Sequence, residues 1–255
     1  MRGRLRDRGL DLHPLGLAIP RFYLDAPLRA GSSAALPEDA GHHAVHVLRV
    51  KAGDEVTLFN GRGGEYAARV ASVQKLRVSI DVLQHRAVER ESPLRVVLVQ
   101  GVSSGERMEF TIRKAVELGV AEIHPVLAAA SVARPKGERA ASRQTHWQRI
   151  AISACEQCGR NTIPLVHPLQ DLPFVSKEAS MKILLTPRAD VAFSKVVKAE
   201  RFVIAAGPEA GFDAREEAAF VESGFLPAKL GPRVLRTETA ALAALAALSA
   251  LRGDF

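Results

Sequence analysis

The chain has 255 residues, of which 47% are hydrophobic, so it can bury a core as one large domain or two small ones. No apolar run approaches the ~20 residues that a membrane-spanning helix requires, so we expect no membrane association. Two cysteines cannot form a disulfide framework, which favours a reducing, cytoplasmic environment.

The formal charge is +7, and arginines outnumber lysines 26 to 9. Because arginine binds phosphate through a planar, bidentate fork, we expect an anionic partner, with nucleic acid as the leading class.

The N-terminal third of the chain predicts a small β domain. Residues 1–19 lack the apolar core and cleavage site of a secretory signal, and we expect them to form a disordered extension. Over residues 20–84, period-2 patterns and a Gly-rich hairpin turn (Gly61–Gly64) indicate a β-barrel-like domain. The predicted strands are Asp54–Asn60, Glu65–Val73 and Leu76–Leu83.

A short helix that carries three histidines is predicted ahead of those strands, over residues 41–50. His42 and His46 are spaced i, i+4 and could bind a metal ion, but no third ligand is evident in the sequence. We therefore predict no metal site.

The remainder of the chain predicts an α/β domain. Residues 85–93 are charged and end in Pro93, which indicates a linker; over residues 94–255, strands alternate with helices, which favours a mostly parallel sheet. The predicted strands are Leu94–Gln100, Ala121–Val126, Met181–Thr186 and Phe202–Gly207. Four helices are predicted. The first begins at a Ser103–Glu106 capping box and ends before Gly119, and the second spans Gln144–Gln157. The third begins at an Asp213–Glu216 capping box and ends at Gly224, and the fourth spans Thr237–Leu251.

Three loops are candidates for a ligand site, because open α/β sheets bind ligands beyond the carboxyl ends of their strands. They are Thr186–Asp190, Gly207–Gly211 and Leu230–Leu242. None carries the glycine pattern of a P-loop or of a dinucleotide-binding turn, and the chain lacks a nucleophile elbow. Each Gly-Pro turn taken alone is also compatible with an ordinary turn.

Taken together, the segments "GPEAGF" (207–212) and "LGPRVLRTETA" (230–240) resemble the SPOUT-class RNA methyltransferases, most closely the RsmE family. Members of that family methylate N3 of a uridine in 16S ribosomal RNA. The resemblance extends over residues 20–252 through Pro20–Leu24, Arg113–Val120, His124–Val126 and His146–Arg160. It implies a PUA-like RNA-binding β-barrel over residues 20–84, a SPOUT domain with a deep trefoil knot over residues 94–255, a homodimer, and S-adenosyl-L-methionine as the cofactor.

The resemblance also implies which residues form the site. Those expected to line the cofactor pocket are Leu185, Gly207, Pro208, Glu209, Gly211, Leu230, Gly231, Val234, Leu235 and Arg236. Ala210 stands where the family usually has a second glycine, and its methyl group would be strained if that position required a positive φ.

Methylation at N3 requires loss of the N3 proton and stabilisation of the resulting anion. Arg236 is the first candidate for the stabilising cation, and Glu209 or Glu238 for the proton acceptor. Arg236 could instead pair with Glu238, and Thr237 and Thr239 could simply be helix N-caps.

Basic residues are the candidates for RNA contact, although a solvated surface would have the same composition. Those expected to contact RNA are Arg21, Arg49, Arg134, Lys136, Arg143, Arg149 and Arg160. Cys155 and Cys158 could suggest a metal or redox pair, but their position on a predicted helix disfavours that interpretation.

Three functions therefore follow from the sequence. The leading one is methylation of uridine N3 in 16S rRNA, within the assembled small ribosomal subunit. The alternatives are another SPOUT activity, such as ribose 2′-O-methylation of tRNA, and a non-catalytic rRNA-binding assembly factor.

Overall fold

The structure is a computed structural model that describes residues 19–131, 134–172, 174, 181–252 and 255. The predicted extension over residues 1–19 lies, apart from Ile19, outside the described residues. The strands are β1 (Arg21–Tyr23), β2 (Ser33–Ala35), β3 (Glu55–Phe59), β4 (Glu65–Gln74), β5 (Arg77–Arg86), β6 (Arg95–Gly101), β7 (Glu122–Leu127), β8 (Leu165–Val166), β9 (Gln170–Asp171), β10 (Met181–Leu185), β11 (Arg201–Ala206) and β12 (Leu226–Ala228). The helices are α1 (Glu38–His46), α2 (Gly105–Glu117), α3 (Glu138–Cys158), α4 (Phe193–Val196), α5 (Ala214–Glu222) and α6 (Thr237–Arg252).

The chain forms two compact units. The first comprises the described residues up to Arg90 together with residues 155–162, and the second comprises residues 91–154 and the described residues from 163 onward. The linker boundaries predicted from the sequence stay a prediction. None of the helices that the structure describes is long and apolar enough to cross a membrane.

The first unit contains a five-stranded sheet in the order β1-β3-β4-β5-β2. β1 runs parallel to β3, and the other pairs are antiparallel. Alternate residues of β5 are buried, as its period-2 pattern predicts, and Phe22, Leu58 and Ile80 form the centre of the core. The three long strands, the short helix and the hairpin turn are confirmed. β1 and β2 were not predicted, because three residues are too few to show an alternating pattern.

The second unit contains a sheet whose pairs are all parallel, in the order β12-β10-β11-β6-β7-β8, with β9 also pairing with β7. β6 and β11 are buried over almost their whole length, which accounts for their continuous apolar sequences. The predicted parallel α/β architecture is therefore confirmed, and the carboxyl ends of β6, β10, β11 and β12 lie along one edge of the sheet.

One predicted capping box is confirmed and the other is wrong. Asp213 Oδ1 accepts hydrogen bonds from the amides of Arg215 and Glu216, and the Glu216 carboxylate accepts one from the Asp213 amide, so α5 begins as predicted. α2 begins one residue later than expected, after Ser104, whose side chain makes no capping hydrogen bond. In that register Arg107, rather than a glutamate, occupies the third helical position, so the reciprocal bond cannot form.

Candidate functional site

The site is built on the carboxyl edge of the parallel sheet in the second unit. Leu185, the last residue of β10, is paired with Ala206 of β11 and with Ala228 of β12. The three loops selected from the sequence therefore leave the sheet side by side.

A cleft at this edge brings together residues from two of the loops. Five predicted cofactor residues line it: Leu185, Leu230, Gly231, Val234 and Leu235. The other lining residues are Thr186, Pro187, Ala228, Arg233 and Ala240. Gly207, Pro208, Glu209, Gly211 and Arg236 do not line this cleft. Val234 is 81% exposed at the surface of this cleft.

The Gly207–Gly211 loop is a tight turn. The Gly211 amide donates to the Pro208 carbonyl at 2.8 Å, and Gly211 has a φ of +76°. Ala210 is exposed, and among the non-glycine residues that the structure describes only Arg49 and Lys75 have a positive φ. Ala210 therefore adopts the turn without left-handed strain. Alanine in place of the family's usual glycine gives no reason to expect weaker cofactor binding.

Two glycines are required by close packing around this turn. A Cβ atom on Gly207 would lie 2.9 Å from Cα of Gly211 and from the amide nitrogen of Phe212. A Cβ atom on Gly101 would lie 2.4 Å from Cδ of Pro208. The turn is thus held against the end of β6, with no room for a side chain at either position.

A buried hydrogen-bond network fixes the carbonyl of Gly207. The Thr237 hydroxyl donates to that carbonyl at 2.5 Å and accepts from Nε2 of Gln100 at 3.0 Å. Gln100 is fully buried, and within the described part of the chain its Oε1 has no hydrogen-bond partner. Gln100 was not selected from the sequence, although a lone amide at the end of an apolar strand was a usable signal. Thr237 was expected only as a helix cap.

Arg236 and Glu209, the two candidate catalytic residues, have different surroundings. Arg236 is exposed, and across the described ranges its guanidinium makes no hydrogen bond or ion pair, so the alternative pairing with Glu238 is not observed. Glu209 Oε1 accepts a hydrogen bond from the Ser104 amide at 2.8 Å and lies 3.4 Å from the Arg107 guanidinium.

Burial acts to raise the pKa of the Glu209 carboxyl, but the hydrogen bonds from Ser104 and the charge of Arg107 outweigh it and hold that pKa below its usual range. A carboxylate with a lowered pKa is a weak proton acceptor. The geometry therefore favours Glu209 as a residue that positions the turn, while its catalytic role stays a prediction.

Two basic clefts occur in the second unit. One is lined by Arg134, Pro135, Arg139, Ser142 and Arg143, and the other by Arg113, His146, Arg149, Ile150 and Ser153. Lys136 is exposed beside the first. The guanidinium of Arg134 donates to the carbonyls of Ala128 and Ala129, at 2.9 and 2.8 Å, which fixes its orientation. Arg113 was not selected from the sequence, because its helix spacing alone gives no sign of the cleft.

Arg21 and Arg160, also predicted to contact RNA, are buried in the first unit, and this argues against that role. The side chain of Arg21 is only 10% exposed, forms an ion pair with Glu65 at 2.5 Å and donates to Asn161 Oδ1 at 2.7 Å. Arg160 is 5% exposed. Although Nε of Arg21 has no hydrogen-bond partner among the described residues, it is buried, so phosphate cannot reach it. Arg49 remains exposed and stays a candidate.

Comparison with known proteins identifies the family. Residues 90–249 match the model of an RNA methyltransferase domain, and residues 36–83 match that of an RNA methyltransferase PUA domain. The chain is 35% identical over 242 residues to ribosomal RNA small subunit methyltransferase E of Buchnera aphidicola, covering 92% of this chain and 98% of the relative. The chain belongs to this methyltransferase family. The Bacillus subtilis member is 34% identical over 229 residues, covering 84% of this chain and 90% of that protein.

Two solved methyltransferase structures have the same fold. A Neisseria gonorrhoeae ribosomal RNA small subunit methyltransferase E bound to S-adenosylmethionine is 38% identical, with a TM-score of 0.82 over 91% of this chain and 98% of that one. A Legionella pneumophila methyltransferase in complex with the same cofactor is also 38% identical, with a TM-score of 0.87 over 92% and 98% of the two chains.

Proposed function

We propose that this protein uses S-adenosyl-L-methionine to methylate N3 of a specific uridine in 16S ribosomal RNA. The observation that carries the proposal is the carboxyl edge of the second unit, where the cleft and the Gly207 turn follow neighbouring parallel strands in a chain of the methyltransferase E family.

The residues at that edge suit the cofactor. Leu185, Leu230, Val234 and Leu235 offer an apolar cleft of the kind that adenine fills, and Gly231, with a φ of +97°, exposes backbone between them. In the Gly207–Gly211 turn, the two glycines leave their own backbone groups unobstructed by a side chain. We assign the ten predicted pocket residues to the cofactor on this basis; when bound, it supplies an electrophilic methyl group on a sulfonium centre.

The reaction asks little covalent chemistry of the protein. The N3 proton leaves to an acceptor, the N3 lone pair forms a bond to the methyl carbon, and the electrons of the broken carbon–sulfur bond remain on sulfur as a neutral thioether. Arg236, exposed and unpaired among the described residues, stabilises the uridinate anion during this transfer. Holding N3 in line with the methyl group is the second contribution.

Substrate binding completes the proposal. The two basic clefts contact rRNA phosphates in the assembled small subunit, with Arg49 and the PUA domain adding a second contact. We further propose that the protein acts as a cytoplasmic homodimer and that its second unit contains the trefoil knot implied by the family resemblance.

A pair of glycine variants tests the proposal. Gly207→Ala places a methyl group 2.9 Å from the backbone at Gly211, whereas a Cβ atom on Gly105 has no neighbour within 4 Å. We expect Gly207→Ala to lose both cofactor binding, measured by calorimetry, and transfer of labelled methyl groups to small ribosomal subunits. Gly105→Ala should retain both activities. Normal transfer by Gly207→Ala would refute the cofactor assignment.

A further inference from the structure

A cluster of potential metal ligands lies on the sheet of the second unit. Glu122 and His124 occupy alternate positions of β7 and therefore face the same side of the sheet. β8 runs parallel to β7, and the His167 amide that follows it donates to the Ile123 carbonyl at 2.9 Å. The strand register thus brings together three residues that are separated by up to 45 positions in the chain.

The side-chain atoms of the cluster converge on one point. Nε2 of His167 lies 2.8 Å from Glu122 Oε2, and Nε2 of His124 lies 3.4 Å from the same oxygen. One ligand atom from each residue falls within a mutual distance of 4.8 Å. The imidazole rings are stacked, with centroids 3.7 Å apart and an interplanar angle of 12°, so one ring must rotate out of the stack before both Nε2 lone pairs can point at one metal ion.

These separations are close to what a bound metal ion requires. Ligands about 2.0–2.1 Å from a tetrahedral Zn²⁺ are about 3.3–3.4 Å apart. The distance from His124 Nε2 to Glu122 Oε2 already meets this value. The distance from His167 Nε2 to the same oxygen must lengthen by about half an ångström when the metal replaces the proton of their hydrogen bond.

A neighbouring arginine orients the Glu122 carboxylate. Arg95 binds Oε1 of Glu122, which leaves Oε2 for the cluster and fixes its direction.

We propose that Glu122, His124 and His167 form a binding site for a divalent transition metal ion, with Zn²⁺ as the best match. Two imidazole nitrogens and one carboxylate oxygen suit a borderline cation rather than Mg²⁺ or Ca²⁺, and they leave a fourth position open to water. Glu122 lies at the amino end of β7, whereas the cofactor loops follow the carboxyl ends of β10, β11 and β12. The metal is therefore expected to stabilise the β7–β8 edge of the sheet, not to take part in methyl transfer.

The test uses the full chain stripped of metal and titrated with ZnCl2. His42 and His46 form an exposed pair that could bind zinc on its own, so the titration is done in a His42→Ala, His46→Ala background. We expect one Zn²⁺ per chain and an increase in melting temperature that grows with zinc concentration. Adding His124→Ala or His167→Ala should weaken binding at least ~100-fold, because a ligand contributes more than its supporting residues do.

His146→Ala is the matched control. The His146 ring also contacts a glutamate, Glu109, at 3.0 Å, but among the described residues no second histidine joins that pair. It should leave zinc affinity unchanged. Absence of stoichiometric binding, or binding that persists in a His124→Ala, His167→Ala variant, would overturn the proposal.

A measurement that needs no variant covers the case in which these substitutions impair folding. In the wild-type chain, sub-stoichiometric Zn²⁺ should shift the ring proton resonances of His124 and His167 before those of His146. Shifts confined to other histidines would refute the site. Because the readouts are zinc affinity and ring resonances, failure here leaves the proposed methyl transfer unaffected.

Discussion

Arg21 and Arg236 were both selected from the sequence, yet the structure places them in opposite environments. In the first unit, Arg21 is buried against a carboxylate and a side-chain amide, and Arg90 joins the same carboxylate at 3.0 Å. In the second unit, Arg236 is exposed beside a turn whose Gly207 carbonyl is held by neutral hydrogen bonds. Paired charges thus surround Arg21 in the first unit. Arg236, at the candidate site of the second unit, has no charged partner among the described residues. The surroundings of an arginine, more than its presence, indicate its role.

Removing Arg21 should have the largest effect. Arg21→Ala leaves Glu65, 2% exposed, with only Arg90 as an ionic partner, and we expect it to lower the free energy of unfolding of the first unit by about 3 kcal/mol. Urea unfolding, monitored by the hydrogen exchange of the β4 and β5 amides, measures this loss of unfolding free energy. Arg69→Ala is the control, because Arg69 and Glu55 form an exposed pair at 3.9 Å and its loss should change stability by less than ~1 kcal/mol. Equal losses in the two variants would contradict the comparison.

The same network predicts a pH dependence. Burial acts to raise the pKa of Glu65, but hydrogen bonds from Arg21 and Arg90 outweigh it and lower the pKa from 4.5. The unfolded chain therefore takes up the proton first, so this contribution to stability is present above pH 4.5 and is lost as the pH falls through the lowered value. The wild-type protein should lose more stability than Arg21→Ala between pH 5 and pH 3; a parallel decline would refute the role of the pair.

Removing Arg236 should have the next largest effect, on catalysis far more than on cofactor binding. Loss of one preorganised donor to a developing anion lowers turnover about 100- to 1000-fold. Arg236→Ala should show this loss in single-turnover methyl transfer, with far less change in the Kd for S-adenosylmethionine. Arg233→Ala, an exposed arginine of the same loop that lines the cofactor cleft, is the control and should retain turnover at saturating S-adenosylmethionine. If both variants lost activity equally, the general positive charge of the loop would explain the effect.

Disrupting the neutral network should have a smaller effect. Thr237→Val keeps the shape of the side chain but removes the hydroxyl that joins Gln100 to Gly207. We expect cofactor affinity to fall about tenfold, since a buried hydrogen bond and its stranded partners are worth 1–3 kcal/mol. Thr237→Ser should restore most of this affinity, and Thr239→Val, at an exposed position, should leave it unchanged. Wild-type affinity in Thr237→Val would show that the turn does not depend on the network.

The smallest effect is expected at the basic surface. Arg143→Ala removes one cation from the cleft that contains Arg134 and Arg139, and should reduce the salt-dependence slope of rRNA binding by about 0.9. Filter binding across a range of salt concentrations measures the slope. Arg215→Ala, an exposed arginine of α5 that lines neither cleft, is the control. An unchanged slope in Arg143→Ala would mean that this cleft does not contact phosphate.

The fold was largely predictable because its signals are local and its resemblance to a known family is strong. The apolar run of β11, the capping box at Asp213 and the glycine at 224 each determine structure within a few residues. The Gln100–Thr237–Gly207 network and the Glu122 cluster could not be predicted in this way, because strand register brings together residues that are far apart in the chain. Burial of Arg21 and Arg160 was missed for the same reason, since charge composition does not reveal which arginines find buried acceptors.

The identity of the methylated nucleoside tests the central claim most directly. Small ribosomal subunits that lack the modification are incubated with the protein and methyl-labelled S-adenosylmethionine, and their rRNA is then digested to nucleosides. Label in 3-methyluridine, absent when Arg236→Ala replaces the wild-type protein, is the result that this account predicts. Label in a 2′-O-methylated nucleoside, or subunit binding without any transfer, would contradict it.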